Sequence, residues 1–182
     1  GLKVTDLMQG PVYGIETDES IIDGRLRTIF NYDEVFGTIV NRFITQTVAG
    51  YPLTVYGSGN QVRGYLNIKD TLQCVYLSEI NPAKKGELKI FNQIMETLSV
   101  NDIANIVSTT AREMGYDTQV KKVENPRVEQ EEHYYNPTYQ GLQDLGVQPH
   151  LLTKESVQGM LRLVESHKKN INSGLFHMGV KW

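Results

Sequence analysis

Two arginines stand where a phosphate could be gripped. Arg63 lies within Gly57-Ser58-Gly59-Asn60-Gln61-Val62-Arg63-Gly64-Tyr65, a polar turn at the mouth of a strand, and Arg127 follows Pro126 in a second loop. A guanidinium presents a planar fork of donors that fits phosphoryl oxygens two at a time. By spacing alone either arginine is more often a solvated loop charge or an ion-pair partner, and Glu129, Glu131 and Glu132 offer Arg127 that alternative. The three carboxylates invite a general acid or base role, but at such density in a loop they are usually solvated. Tyr134 and Tyr135 could stack on a base or a sugar, although paired tyrosines serve packing at least as often. His133, His150, His167 and His177 lack metal-ligand spacing, which makes them surface or packing residues and predicts no metal. A Walker phosphate loop is absent. Gly57, Gly59 and Gly64 do not form a dinucleotide fingerprint, because their spacing is wrong and they precede a strand instead of opening a helix.

The elements that must position these residues alternate between strand and helix. Val4 to Met8 predicts a strand that ends at Gln9-Gly10-Pro11, and residues 14–32 have the low periodicity of a surface loop or flap. Apolar residues at three- and four-residue steps predict a helix over 33–49, capped by Asp33 and stopped by Gly50 and Pro52. Strands are predicted at 53–56 and 62–68, then a helix capped by Asp70 and ended by Asn81-Pro82. A strand at 88–92 leads into a polar loop, and Ser99 begins a helix closed by Gly115. Thr118 to Val123 predicts a further strand. Helices are predicted at 138–145 and 153–168, and the last dozen residues read as a loose tail. The pattern is that of an α/β or α+β domain.

Composition narrows the partners. With 182 residues, a net charge of -3 and scattered basic residues, the chain lacks the electrostatic footprint of a nucleic-acid or membrane-surface binder. No apolar stretch approaches the roughly 20 residues of a membrane span. Cys74 has no second thiol to pair with, which fits a cytoplasmic type of compartment. The opening Gly1-Leu2-Lys3-Val4 reads as the entry to a buried strand, so a preceding segment is expected.

Taken in order, several stretches resemble the second half of an extended short-chain dehydrogenase/reductase. They are Thr5-Asp6-Leu7-Met8-Gln9-Gly10-Pro11-Val12-Tyr13-Gly14, Asn41-Arg42-Phe43, Pro52-Leu53-Thr54-Val55-Tyr56-Gly57, Arg63-Gly64-Tyr65-Leu66-Asn67-Ile68-Lys69-Asp70 and Phe91-Asn92-Gln93. Within that superfamily, Asn125-Pro126-Arg127-Val128-Glu129, continuing through Glu131-Glu132-His133-Tyr134-Tyr135-Asn136, is similar to the UDP-sulfoquinovose synthases in particular. The likeness covers residues 2 to 165.

The resemblance implies the C-terminal part of an NAD(P)-binding Rossmann-type fold, mainly its small mixed α/β substrate-binding domain. Residues 1–170 would form the nucleotide-sugar-binding half, with 1–10 the tail of the Rossmann sheet and 171–182 a C-terminal tail. It also implies NAD as cofactor, UDP-glucose and sulfite as substrates, a missing N-terminal half and a homodimer when intact. The superfamily's Gly-rich loop and Tyr-x-x-x-Lys pair are not in this sequence, so no catalytic residue is expected here and the chain alone should be silent. Gln9 would face nicotinamide and sugar. Thr38 and Val40 would lie near the nucleotide, Thr54 to Tyr56 would frame the uracil, and Arg63 and Arg127 would hold the diphosphate. Tyr135 belongs to the same substrate-binding set. A plant protein of this family would reside in the chloroplast stroma. Other nucleotide-sugar epimerases or dehydratases, or a binding fragment without catalysis, are the competing readings.

Overall fold

The computed structural model describes residues 1–125 and 137–177. Along the chain run β1 (Val4–Gln9), β2 (Val12–Tyr13), α1 (Asp18–Ile22), α2 (Ile39–Val48), β3 (Leu53–Tyr56), β4 (Val62–Asn67) and α3 (Ile68–Ile80). They are followed by β5 (Leu88–Gln93), β6 (Glu96–Ser99), α4 (Val100–Glu113), β7 (Val120–Val123), α5 (Gln140–Asp144) and α6 (Lys154–Glu165). Short 3₁₀ turns occupy Gly24–Leu26, Lys168–Asn170 and Ser173–Phe176. Strands pair in parallel and helices follow them, so the class is mixed α/β as expected. The chain divides into two compact units, one built from 1–27, 63–97 and the described part of 135–151, the other from 28–62, 98–125 and 152–177.

In the first unit β1 lies parallel to β5, with Val4 opposite Leu88 and Gln9 opposite Gln93. One face of this ladder carries Leu7 and Phe91 onto a core of Leu66, Cys74, Met95, Leu142 and Val147. The chain then shifts sideways, and β2 pairs in parallel with β4, Val12 opposite Leu66. Glycine makes that shift possible. A Cβ on Gly10 would stand 2.9 Å from the Gly64 carbonyl oxygen, and one on Gly64 would run into the Ile94 side chain.

The start of α3 differs from the expected cap. Asn67, not Asp70, is the N-cap, its Oδ1 accepting the Lys69 N–H at 3.0 Å. Asp70 sits in the first turn, fully buried, and takes three donors. The His150 N–H reaches Oδ2 at 2.9 Å, His150 Nδ1 lies 2.6 Å from Oδ1, and Gln73 Nε2 donates at 3.0 Å. Gln73 Oε1 in turn accepts the Gln148 N–H. The segment ahead of residue 152 is thus tied to α3 through the Asp70 carboxylate and the Gln73 amide. A sequence window cannot foresee this, because the partners are 80 residues apart.

In the second unit α2, α4 and α6 pack on one another, burying Phe43, Ile44, Val48, Ile103, Val107, Val157 and Leu161. Reciprocal capping boxes start two of them, Ser99 with Asp102 on α4 and Thr153 with Ser156 on α6. The helix predicted from residue 33 begins only at Ile39. Asp33 Oδ1 takes the N–H groups of Val35 and Phe36 instead, at 2.8 and 2.7 Å, and this turn competes with helix. Gly37 completes it, with no room for a Cβ against the backbone of Tyr32 and Asp33. Where a polar loop was expected after β5, β6 runs straight into α4.

The loose tail is also corrected in part. Phe176 is fully buried, its ring 5.7 Å from Tyr32 and 5.3 Å from Tyr51, while Glu34 N–H bonds the Leu175 carbonyl. Residues 14–32, expected as a flap, contain α1, whose cap Thr17 and third residue Ser20 exchange hydrogen bonds.

Candidate functional site

Of the residues singled out from sequence, Gln9 and Arg63 fall in the first unit. Gln9 is the last residue of β1, exposed at the carboxyl ends of two parallel strands, the place where open α/β sheets receive ligands. Arg63 is in β4, partly buried. The parallel register of β2 with β4, carried back from Val12 and Leu66, puts Gly10 beside Gly64, as their backbone approach confirms. One residue earlier on each strand come Gln9 and Arg63. The close backbone approach is that of the two glycines, and Gln9 and Arg63 are the residues that precede them in sequence.

Thr38, Val40, Thr54 and Tyr56 fall in the second unit. Thr38 is the N-cap of α2 yet makes no capping bond, and its buried Oγ1 has no partner among the described residues. Val40 is wholly in the core. Its side chain packs and does not face solvent. Thr54 is buried as well, with its groups already engaged. Its N–H goes to Gln46 Oε1 at 3.1 Å, its hydroxyl accepts from Gln46 Nε2 at 2.8 Å, and Arg42 Nη2 approaches its carbonyl at 3.4 Å. Tyr56, half-buried at the end of β3, has the Arg42 guanidinium 4.8 Å from its ring centroid and Glu34 Oε1 3.4 Å from its hydroxyl. Burial lifts the Tyr56 hydroxyl above the usual tyrosine range, the nearby Arg42 charge pulling it back.

Arg42 and Glu34 were not singled out as site residues. Arg42 could have been, since a cation in the middle of the apolar run from Val40 to Ile44 must find a partner when buried. It stacks on an aromatic ring, an arrangement worth about 0.5–2 kcal/mol. Arg127, Tyr134, Tyr135, His133 and the three glutamates lie outside the described residues.

Other polar groups are committed to structure. The Tyr13 hydroxyl is 2.8 Å from Glu96 Oε1 and 3.0 Å from the His150 carbonyl, and burial pushes it far above the ordinary range. Among the described residues no cluster of three or more His, Cys, Asp or Glu could hold a metal ion, and no helix is long and apolar enough to cross a membrane.

The turn at Gly57 and Gly59 does not suit a dinucleotide. Both glycines have positive φ, +61° and +77°, but the turn leads into β4, and Asn101 occupies its polar groups. Asn101 Nδ2 donates to the Ser58 carbonyl and to Asn60 Oδ1, while its N–H bonds the Gly59 carbonyl. Among the described residues no phosphate cradle for a dinucleotide is built at this turn.

The fold is shared with solved nucleotide-sugar epimerases. A UDP-glucose 4-epimerase of Thermotoga maritima, solved with UDP-glucose, superposes with a TM-score of 0.65 over 93% of this chain and 48% of its own, at 18% identity. The UDP-glucose 4-epimerase of Thermus thermophilus, solved with NAD, gives 0.62 over 94% of this chain and 48% of its own, at 20% identity. By sequence the chain is a relative of the UDP-sulfoquinovose synthases. It is 45% identical over all 182 residues to the chloroplastic UDP-sulfoquinovose synthase of Spinacia oleracea, and 45% identical over 171 residues to that of Sulfolobus acidocaldarius. It spans 38% and 43% of the length of these curated relatives. No protein-family model matches it.

Proposed function

We propose that the chain is the nucleotide-sugar-binding part of a UDP-sulfoquinovose synthase, which converts UDP-glucose and sulfite to UDP-sulfoquinovose through 4-keto sugar intermediates. The observation that carries this reading is the 45% identity, sustained over the whole chain, to two enzymes of that name. NAD, held mainly by residues outside this sequence, would take a hydride from the sugar and return it. The work of this chain is to bind and orient. Arg63, and Arg127 beyond the described residues, would grip the diphosphate with paired charge-assisted hydrogen bonds, fixing a sugar they never touch at its reacting carbons. Gln9, neutral and able both to donate and to accept, would hold a sugar hydroxyl at the strand ends without adding charge. Tyr56 and Arg42, stacked on one another, would form the wall against which the nucleotide lies. Tyr135, Thr38 and the backbone around Thr54 would complete that wall, Val40 contributing only by packing behind it. The intact enzyme would be a homodimer working in the cytoplasm or, in a plant, in the chloroplast stroma.

Arg63→Ala in the intact enzyme tests the assignment. It should weaken UDP-glucose at least tenfold in calorimetric titration and leave NAD affinity unchanged, whereas unaltered UDP affinity removes Arg63 from the site. Product analysis with and without sulfite separates this activity from that of a 4-epimerase, which would yield an epimer in either case.

A further inference from the structure

The turn ahead of α2 is gripped by residues from the far end of the second unit. Asn172, 140 positions after Tyr32, donates its N–H to the Tyr32 hydroxyl oxygen at 2.9 Å, and the Leu175 carbonyl accepts the Glu34 N–H at 3.2 Å. These late residues form a built turn of their own. Asn172 caps the 3₁₀ turn Ser173–Phe176, its Oδ1 accepting the Gly174 N–H at 3.0 Å and its carbonyl the Leu175 N–H at 3.2 Å.

Phe176 supplies the apolar part of the grip. Its ring is fully buried, with Tyr32, which precedes α2, at 5.7 Å and 60°, and Tyr51, which follows α2, at 5.3 Å and 44°. Inclined contacts of this kind suit the ring quadrupoles. Tyr51 is fixed in turn by its N–H bond of 2.8 Å to the Gln46 carbonyl. One ring therefore ties the segment that enters α2 to the segment that leaves it.

Glu34 lies in the middle of the gripped turn. Its Oε1 accepts from the Tyr56 hydroxyl at 3.4 Å, and the Tyr56 ring lies against the Arg42 guanidinium. Asp33 and Gly37 give the turn its shape, whereas Asn172, Leu175 and Phe176 fix where it sits. We propose that Asn172–Phe176 is a positioning strap. Through Tyr32 and Glu34 it sets the Glu34 carboxylate on the Tyr56 hydroxyl, and with it the angle of the Tyr56 ring against Arg42. A side chain that must meet a ligand within a fraction of an ångström depends on such support from groups that never touch the ligand. The effect on nucleotide binding rests on the reading of Tyr56 and Arg42 as the nucleotide wall, but the placement of Tyr56 does not.

The test therefore includes a readout that needs no ligand. In the intact enzyme, tyrosines carry a ¹³C label at Cζ, and Tyr56→Phe assigns the Tyr56 signal. Phe176→Ala should shift that signal, speed exchange of the Glu34 amide about tenfold and weaken UDP about fivefold in calorimetric titration, with NAD affinity unchanged. Phe176→Leu keeps an apolar plug and should restore most of all three. If Phe176→Ala fails to fold, Tyr32→Phe decides. It keeps the ring, removes only the acceptor of the Asn172 N–H, and should move the same signal and the same amide by less. An unmoved Tyr56 signal with unaltered Glu34 exchange, in whichever variant folds, overturns the strap. So does a shifted signal with wild-type UDP affinity where Tyr56→Ala weakens UDP. If Tyr56→Ala also leaves UDP affinity unchanged, a shifted signal upholds the strap, and it is the wall that fails.

Discussion

Replacement of Gln46 should be felt sharply at the backbone of β3. It is fully buried on α2, and its amide closes on Thr54 twice, Oε1 taking the backbone N–H and Nε2 reaching the hydroxyl. Leu53 and Gly57 send their N–H groups to Gln119 and Val123, so β3 pairs with β7 through its odd-numbered residues. Thr54 faces the other edge, and there a side chain stands where a strand would. Gln46→Leu keeps the volume but leaves a buried N–H unpaired, a cost of about 1–3 kcal/mol, and removes a second hydrogen bond worth about 1 kcal/mol. A net loss of about 2–4 kcal/mol corresponds to roughly 30- to 700-fold faster exchange of the Thr54 amide, if exchange follows opening of this edge. Hydrogen exchange followed by NMR reads that amide directly. Thr54→Val should cost less, about 1–2 kcal/mol, because the N–H bond to Oε1 survives, and the pair together should cost less than the sum of the two. An exchange rate within threefold of wild type in Gln46→Leu would refute the idea that the side-chain amide satisfies this edge.

Asp70 offers a test by pH. Burial raises its carboxyl above the ordinary value of 3.8, the donors of His150 and Gln73 only partly opposing it. A folded-state pKa above the unfolded one means that the folded chain holds the proton more tightly, so this group's stabilisation is full below about pH 4 and is lost as pH rises through the folded value. Asp70→Asn abolishes that slope and also turns an amide N–H toward a donor. The stability gap between wild type and variant, from urea unfolding at several pH values, should narrow as pH rises; a widening gap would make the ionised carboxylate a net stabiliser. Gly10→Ala brings a methyl to 2.9 Å from the Gly64 carbonyl oxygen and should cost about 1–3 kcal/mol by chemical denaturation, with UDP-glucose binding in the intact enzyme weakened as Arg63 shifts. Full stability with full binding would mean that the strands can part there without consequence.

Much of the scaffold could be read from the chain because its signals are local. The strands at Leu53–Tyr56 and Leu88–Gln93 and the helices behind Ser99 and Thr153 follow from apolar period and capping residues a few positions apart. Local competition misplaced the start of α2, where Asp33 and Gly37 build a turn inside what looks like one continuous helical stripe. Long-range partners hid the rest. Asp70 looks like a cap until His150 arrives from 80 residues away, and Phe176 looks like tail until Tyr32 and Tyr51 enclose it. The candidate site was legible only through resemblance, since Arg63 alone carries no mark of a phosphate ligand. Arg42 lies in one of the stretches that carry the resemblance, yet nothing in the sequence gives it a site role, because its stacking on Tyr56 is visible only in three dimensions.

The braiding of the two units has a consequence for biosynthesis. Each is stitched from three stretches of polypeptide that alternate along the chain, so neither is complete when the ribosome has made half of this stretch. The first waits for the Asp70 partner at His150, the second for Phe176, whose ring closes on Tyr32 and Tyr51. Folding in strict order of synthesis is therefore closed to this protein. Its early strands must persist unfinished until the late residues emerge, a period in which the apolar edge of a nascent sheet is open to chaperones and to aggregation alike.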